Sequence, residues 1–130
     1  MTNRVIHFEI PVDDSDRAGA FYHDVFGWNI ERFGPVDYWN MTTGAEPGPG
    51  AEGALSPRAD TPEGVVVYVG VDDIDDALDK VKRAGGTLLT EKMPIPTMGW
   101  SAHVRDSEGN LIGLFQTDST VPMPEGGIGG

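Results

Sequence analysis

Two side chains near the start of the chain, His7 and Glu9, are the first that could do chemistry. They are two residues apart in "IHFEIPV". In an extended strand such residues share one face, roughly 7 Å from each other. An imidazole titrates near neutrality, which suits it as a general base, and a carboxylate beside it can orient the ring or take up its charge. His103, in "GWSAHVRD", is a second imidazole on a different segment. Together His7, Glu9 and His103 would supply three donors, the number that a catalytic zinc or a non-haem iron takes from protein. His23 falls off the apolar stripe of its helix and reads as solvated surface. Arg58, beside Pro57, could meet an anionic ligand, although a surface arginine is the simpler reading. The chain has no cysteine, which excludes zinc ribbons, disulfides and thiol catalysis.

The elements that must position these residues come twice. A constant shift of 59 lays Val12-Asp13-Asp14 on Val71-Asp72-Asp73, Asp16 on Asp75, Ala18 on Ala77, Gly27 on Gly86 and Leu55 on Leu114. One ungapped shift over two segments indicates an internal repeat. Each copy opens on a strand: Ile6, Phe8, Ile10 and Val12 alternate with His7, Glu9 and Pro11, and Val67, Val69 and Val71 repeat the pattern. Asp-Asp-x-Asp follows each strand and suits a helix N-terminus, where carboxylates cap backbone N–H groups and meet the positive end of the dipole. Ala18, Phe21, Tyr22, Val25 and Phe26 form one helical stripe; Ile74, Ala77, Leu78 and Val81 form the other. Gly27 and Gly85-Gly86 stop the helices.

The rest of each copy reads as β: "WNIERF", "YWNMTT" and a short strand near "GALS", then "GTLLTEK", "GWSAHVRD" and "NLIGLFQTD", with "DSEGN" as a hairpin turn. The fold class is therefore α+β, two βαβββ modules spanning about 4–60 and 63–118 of one domain, residues 1–118. A Gly/Pro loop is expected at 43–53, a linker at 56–64 and a flexible tail at 119–130.

The net charge of −12 argues against nucleic acid, whose phosphates need a basic surface. It could favour a cationic ligand; solubility is the plainer explanation. No stretch approaches ~20 apolar residues, so no membrane span is expected, and the N-terminus lacks the apolar run of a signal peptide. A cytoplasmic location is the default.

Two βαβββ modules in one short chain resemble the vicinal oxygen chelate superfamily, which contains glyoxalase I, bleomycin-resistance proteins, fosfomycin-resistance enzymes and extradiol dioxygenases. The resemblance rests on "HFEIPVDDSDRAGAFYHDVFGW", "VYVGVDDIDDALDKVKRAGG" and "GWSAHVRDSEGNLIGLFQTD", which cover nearly the whole chain. It implies paired modules whose strands curl into a cup around a small-molecule ligand, with helices outside, and it implies a homodimer. It does not fix a reaction.

Metal-dependent members place ligands on the first and last strand of each module. Carried over, the first slot falls on His7 and its repeat partner on Val66. The last strand puts Gly113 where such members have a glutamate, and the shift puts Ala54 in the matching slot. Three of these four side chains cannot donate to a metal, so no cofactor is expected, with a divalent metal left open through altered ligands. Positions facing the cup would be His7 and Glu9 as tentative catalytic residues, and Tyr68, Phe115, Leu111, Gly113, Val66 and Ala54 as ligand-binding residues. Trp39, Trp100 and His103 join them from neighbouring strands. The expected function is metal-independent binding of a small molecule. The alternatives are a metal-dependent lyase, isomerase or dioxygenase with altered ligands, or a metal-free acid/base enzyme using His7 and Glu9.

Overall fold

The computed structural model describes residues 3–44, 50–60 and 63–122. Its elements are β1 (Arg4–Val12), α1 (Ser15–Phe26), β2 (Asn29–Arg32), β3 (Trp39–Thr42), β4 (Glu52–Pro57), β5 (Val66–Gly70), α2 (Ile74–Arg83), β6 (Thr87–Leu88), β7 (Met93–Ile95), β8 (Gly99–Arg105) and β9 (Leu111–Thr117). The fold is mixed α+β, mostly strands with two helices. The chain divides into two compact units, one of residues Ile6–Val66 and one running onward from Val67 that also takes in the residues up to Val5.

In the first unit the strand order is β2-β3-β4-β1. β1 runs parallel to β4, with Glu9 opposite Ala54 and Ile10 opposite Leu55, and the other pairs are antiparallel. In the second unit the order is β5-β9-β8-β6, and β7 also pairs with β8. β5 runs parallel to β9, with Tyr68 opposite Gly113 and Val69 opposite Leu114. The repeat shift carries the parallel β1–β4 pairs onto the β5–β9 pairs, so the repeat governs the register of that parallel pairing as well as sequence.

The helix starts repeat to within a few degrees. Asp14 caps α1 at φ −140° and ψ 105°, its carboxylate accepting from Arg17 N at 3.0 Å. Asp73 caps α2 at φ −139° and ψ 103°, accepting from Asp76 N at 3.1 Å. Such a cap contributes about 1 kcal/mol. Gly27 closes α1 in the left-handed region at φ 74°, with its N–H donated to His23 O. His23 is exposed, as expected, and its Nδ1–H donates to the Trp28 carbonyl at 2.9 Å.

Each helix covers one face of its strands. Val12, Met41 and Leu55 form the first core, with Phe8, Ile10, Ala18, Tyr22, Trp28, Ile30 and Trp39 packed around it. Ile74, Leu78, Ala102, Val104 and Leu114 form the second, joined by Val69, Val71, Val81, Trp100 and Ile112. The alternation in β1 and β5 thus points the apolar set at the helix, as its period of two requires.

Several boundaries differ from the sequence reading. β4 begins at Glu52 and runs through Pro57, so the end of the expected loop and the start of the expected linker are strand. "GTLLTEK" contributes only Thr87 and Leu88, while Met93–Ile95 adds a strand that was not expected. Val121, inside the expected tail, is buried, and its carbonyl accepts from Thr97 N. Residues 45–49 of the loop, 61–62 of the linker and 123–130 of the tail lie outside the described residues.

Candidate functional site

On the face of β1 opposite the helix, His7 and Glu9 are 3.8 Å apart, Nε2 to Oε2. They do not bond directly. Tyr38, just before β3, lies between them: its hydroxyl donates to Glu9 Oε2 at 2.8 Å and lies 2.7 Å from His7 Nε2. A phenol has one proton and a carboxylate can only accept, so that proton goes to Glu9. His7 Nε2 therefore carries a hydrogen and donates it to the Tyr38 oxygen, and the lone pair of the neutral ring sits on Nδ1. Burial lowers the His7 pKa from 6.5, which keeps the ring neutral at pH 7. The His7 and Tyr38 rings stack at 18°. This is a part-buried polar wall, with the His7 side chain 27% exposed and that of Glu9 14% exposed.

The sequence reading missed Tyr38. Its signal was present: in "YWNMTT", Tyr38 and Asn40 alternate with Trp39 and Met41, and Met41 belongs in the core.

The second unit is built differently on the same face. Tyr68 occupies the position matching Glu9, and its hydroxyl lies 2.8 Å from His103 Nε2. Thr90 Oγ1 accepts from His103 N at 2.9 Å. Burial lowers the His103 pKa as well. In β9, Leu111, Gly113 and Phe115 lie opposite Arg105, His103 and Ser101, so they share this face with Tyr68. Val66 and Ala54 are fully buried.

Two expected site residues lie elsewhere. Trp39 packs on the helix-side core opposite Leu55, with the Arg32 guanidinium 5.9 Å from its ring centroid. Trp100 packs on the other core, with Lys92 Nζ 4.7 Å from its ring and its Nε1–H donated to Asp118. Strand parity decides both: Trp39 alternates with Asn40, and Trp100 with Ser101.

A family model described as Bleomycin resistance protein-like N-terminal matches residues 4–44. A glyoxylase-like domain-containing protein of Didymella fabae is 32% identical over 108 residues, covering 78% of this chain and 84% of the relative. A probable lactoylglutathione lyase of Vibrio cholerae is 30% identical over 137 residues, covering 95% of this chain and 98% of that one. The chain belongs to the glyoxalase/bleomycin-resistance superfamily. The same fold appears in methylmalonyl-CoA epimerase from Mycobacterium tuberculosis, with a TM-score of 0.61, 22% identity, and coverage of 93% of this chain and 89% of that one.

The superfamily's divalent metal is not matched by the residues at its four slots. His7 is the single donor; Ala54, Val66 and Gly113 have none. At Gly113 the backbone leaves no space for a carboxylate, because a Cβ there would fall inside the van der Waals envelope of Tyr68 Cδ2 and Cε2. The Tyr68 ring packs against Gly113. Among the described residues no three His, Asp or Glu side chains gather as metal ligands would.

Proposed function

We propose that this superfamily member binds a small molecule against the His7, Glu9 and Tyr38 wall, and that it does so without a divalent metal. The Tyr68 ring packed on Gly113 supports the reading, since the resemblance would put a carboxylate at that position and a Cβ there would meet the ring. The wall offers a ligand distinct contacts. The Tyr38 hydroxyl joins an imidazole to a carboxylate, so a hydrogen-bonding ring and negative charge stand side by side. An acidic wall in a chain of net charge −12 favours a ligand carrying a donor or a positive charge there. A homodimer and a cytoplasmic location belong to the same reading.

A metal-free proton-transfer enzyme is the second reading, and the wiring of His7 favours it. The Tyr38 hydroxyl links an imidazole, which can act as a base near neutral pH, to Glu9, a carboxylate that can balance the charge of its protonated form.

Metal titration followed by thermal unfolding tests the leading reading. Zn²⁺, Ni²⁺, Mn²⁺ or Fe²⁺ at equimolar excess should leave the midpoint unmoved, and elemental analysis after desalting should find no stoichiometric ion. One tightly held ion per chain would refute it. A small-molecule screen by the same method then finds the ligand, since occupancy at a hundredfold Kd adds about 2.7 kcal/mol. If His7→Ala retains that ligand but abolishes its turnover, the second reading replaces the first.

A further inference from the structure

The first unit contains a cavity of about 370 Å³ beside the first turn of α1, and neither His7 nor Glu9 lines it. It is lined by the apolar Ile10 and Val12, the aromatic Phe21 and Tyr22, and the cationic Arg17 and Arg58. Asp13 and Asp14 also reach it, but both carboxylates are already engaged. Asp13 Oδ1 accepts from Arg58 Nε at 2.9 Å, and Asp14 Oδ1 accepts from Arg17 N. The Asp13 bond uses one of the five N–H donors of Arg58. Among the described residues no acceptor meets the Arg17 guanidinium.

The second unit shows that the fold does not demand this lining. The shift of 59 puts Asp76 where Arg17 stands, Lys80 at Phe21, Val81 at Tyr22 and Thr117 at Arg58. The helix start has the same backbone. There, Lys80 and Asp76 close on each other at 2.9 Å. Gln116 Oε1 brings an acceptor to the helix start, taking the Ile74 N–H at 2.9 Å. The position matching Gln116 is Pro57, which has no side-chain acceptor. So one repeat satisfies this corner with its own oxygen and ion pair, while the other leaves it open between two arginines and an aromatic wall.

We propose that this cavity binds a small organic anion, a carboxylate on an aromatic or aliphatic body. The carboxylate would sit between Arg17 and Arg58, where guanidinium forks give charge-assisted bonds, and the body would lie over Ile10 and Val12 against Phe21 and Tyr22. This site stands independently of the His7 wall.

Sodium benzoate is the probe, with benzyl alcohol and benzylamine as neutral and cationic controls of similar shape. In backbone NMR titrations benzoate should saturably shift the amides of Arg17, Ala18 and Phe21, with a Kd of about 1 mM, as suits a fragment of this size. Arg17→Gln and Arg58→Gln should each weaken binding about tenfold. His7→Ala should leave benzoate affinity at this cavity unchanged. Both arginines are exposed, and circular dichroism checks that the variants fold. No saturable shift up to about 20 mM benzoate, equal binding of benzyl alcohol, or undiminished binding when both arginines are replaced would each overturn the proposal.

Discussion

The two units of this chain seat an aromatic ring on a glycine, but on opposite faces of their strands. In the first, the Phe8 ring covers Gly53 on the helix side and packs with the Val12, Met41 and Leu55 core. The other face keeps His7, Glu9 and Tyr38. In the second, the Tyr68 ring covers Gly113 on the face away from the helix, and its hydroxyl is taken up by His103. One repeated backbone thus gives a His-Tyr-Glu wall in one copy and, in the other, a face on which an aromatic ring closes over the glycine. The pleat explains how this is done: adjacent residues point to opposite faces, so moving the aromatic one position moves it across the sheet. Phe8 precedes Glu9, whereas Tyr68 occupies the position that matches Glu9.

Adding a methyl under either ring is the harshest way to break that comparison. Gly53→Ala and Gly113→Ala should each destabilise the protein by about 2 to 3 kcal/mol in urea unfolding, since the new Cβ must displace ring atoms. The two variants should differ in where the damage spreads. Gly113→Ala pushes on Tyr68 and should perturb the His103 ring in NMR spectra; Gly53→Ala should leave His103 unaffected. Combining Gly113→Ala with Tyr68→Ala should cost less than the two changes added together, because the clash goes with the ring. Strict additivity would mean that Tyr68 does not hold the Gly113 slot closed.

Removing one hydroxyl from each unit comes next. Tyr38→Phe takes a donor from the part-buried Glu9 carboxylate and an acceptor from His7, so it should cost about 2 kcal/mol. Tyr68→Phe removes the hydroxyl facing one imidazole and should cost about 1 kcal/mol. A Tyr38→Phe variant as stable as the parent would show that the wall is held by something other than this bridge.

Much of this was legible in the chain because it rests on local chemistry. The 59-residue shift, the Asp14 and Asp73 caps and the Phe8-Ile10-Val12 alternation follow from sequence spacing, and each recurs in the structure. The face of a short strand is less legible. Trp39 and Trp100 were assigned to the ligand, yet each has its partners on the helix side, and only the pairing of Trp39 with Leu55 and of Trp100 with Gln116 fixes that parity. Tyr38 alternates with Trp39 and Met41 in "YWNMTT", but with the face of that short strand unassigned the alternation did not mark it as a partner of His7 and Glu9. The closure of the Gly113 slot was hidden for a related reason. A glycine in a sequence does not say whether its missing side chain leaves a void or makes way for a ring from the neighbouring strand.

The gentlest probe of the comparison is pH, because both units bury a histidine despite their different surroundings. Burial lowers the pKa of His7 and of His103 below 6.5. In the folded state each ring therefore stays neutral at a pH where the unfolded chain has begun to take up protons. The stabilisation is fully present above about pH 6.5, where both states are neutral, and is lost as pH falls from there toward the folded-state values. The unfolding free energy should thus drop between pH 7.5 and 5.5. His7→Gln and His103→Gln should each flatten part of that drop, and the double variant most of it. Separate NMR titrations of the two rings should give midpoints below the unfolded value at both sites, although one ring faces Tyr38 and Glu9 and the other faces Tyr68. If His7 instead titrates above 6.5, the Glu9 carboxylate outweighs burial. The His7 site would then be a charged pair, and the neutral, Nδ1-basic imidazole inferred from the Tyr38 bridge would be wrong.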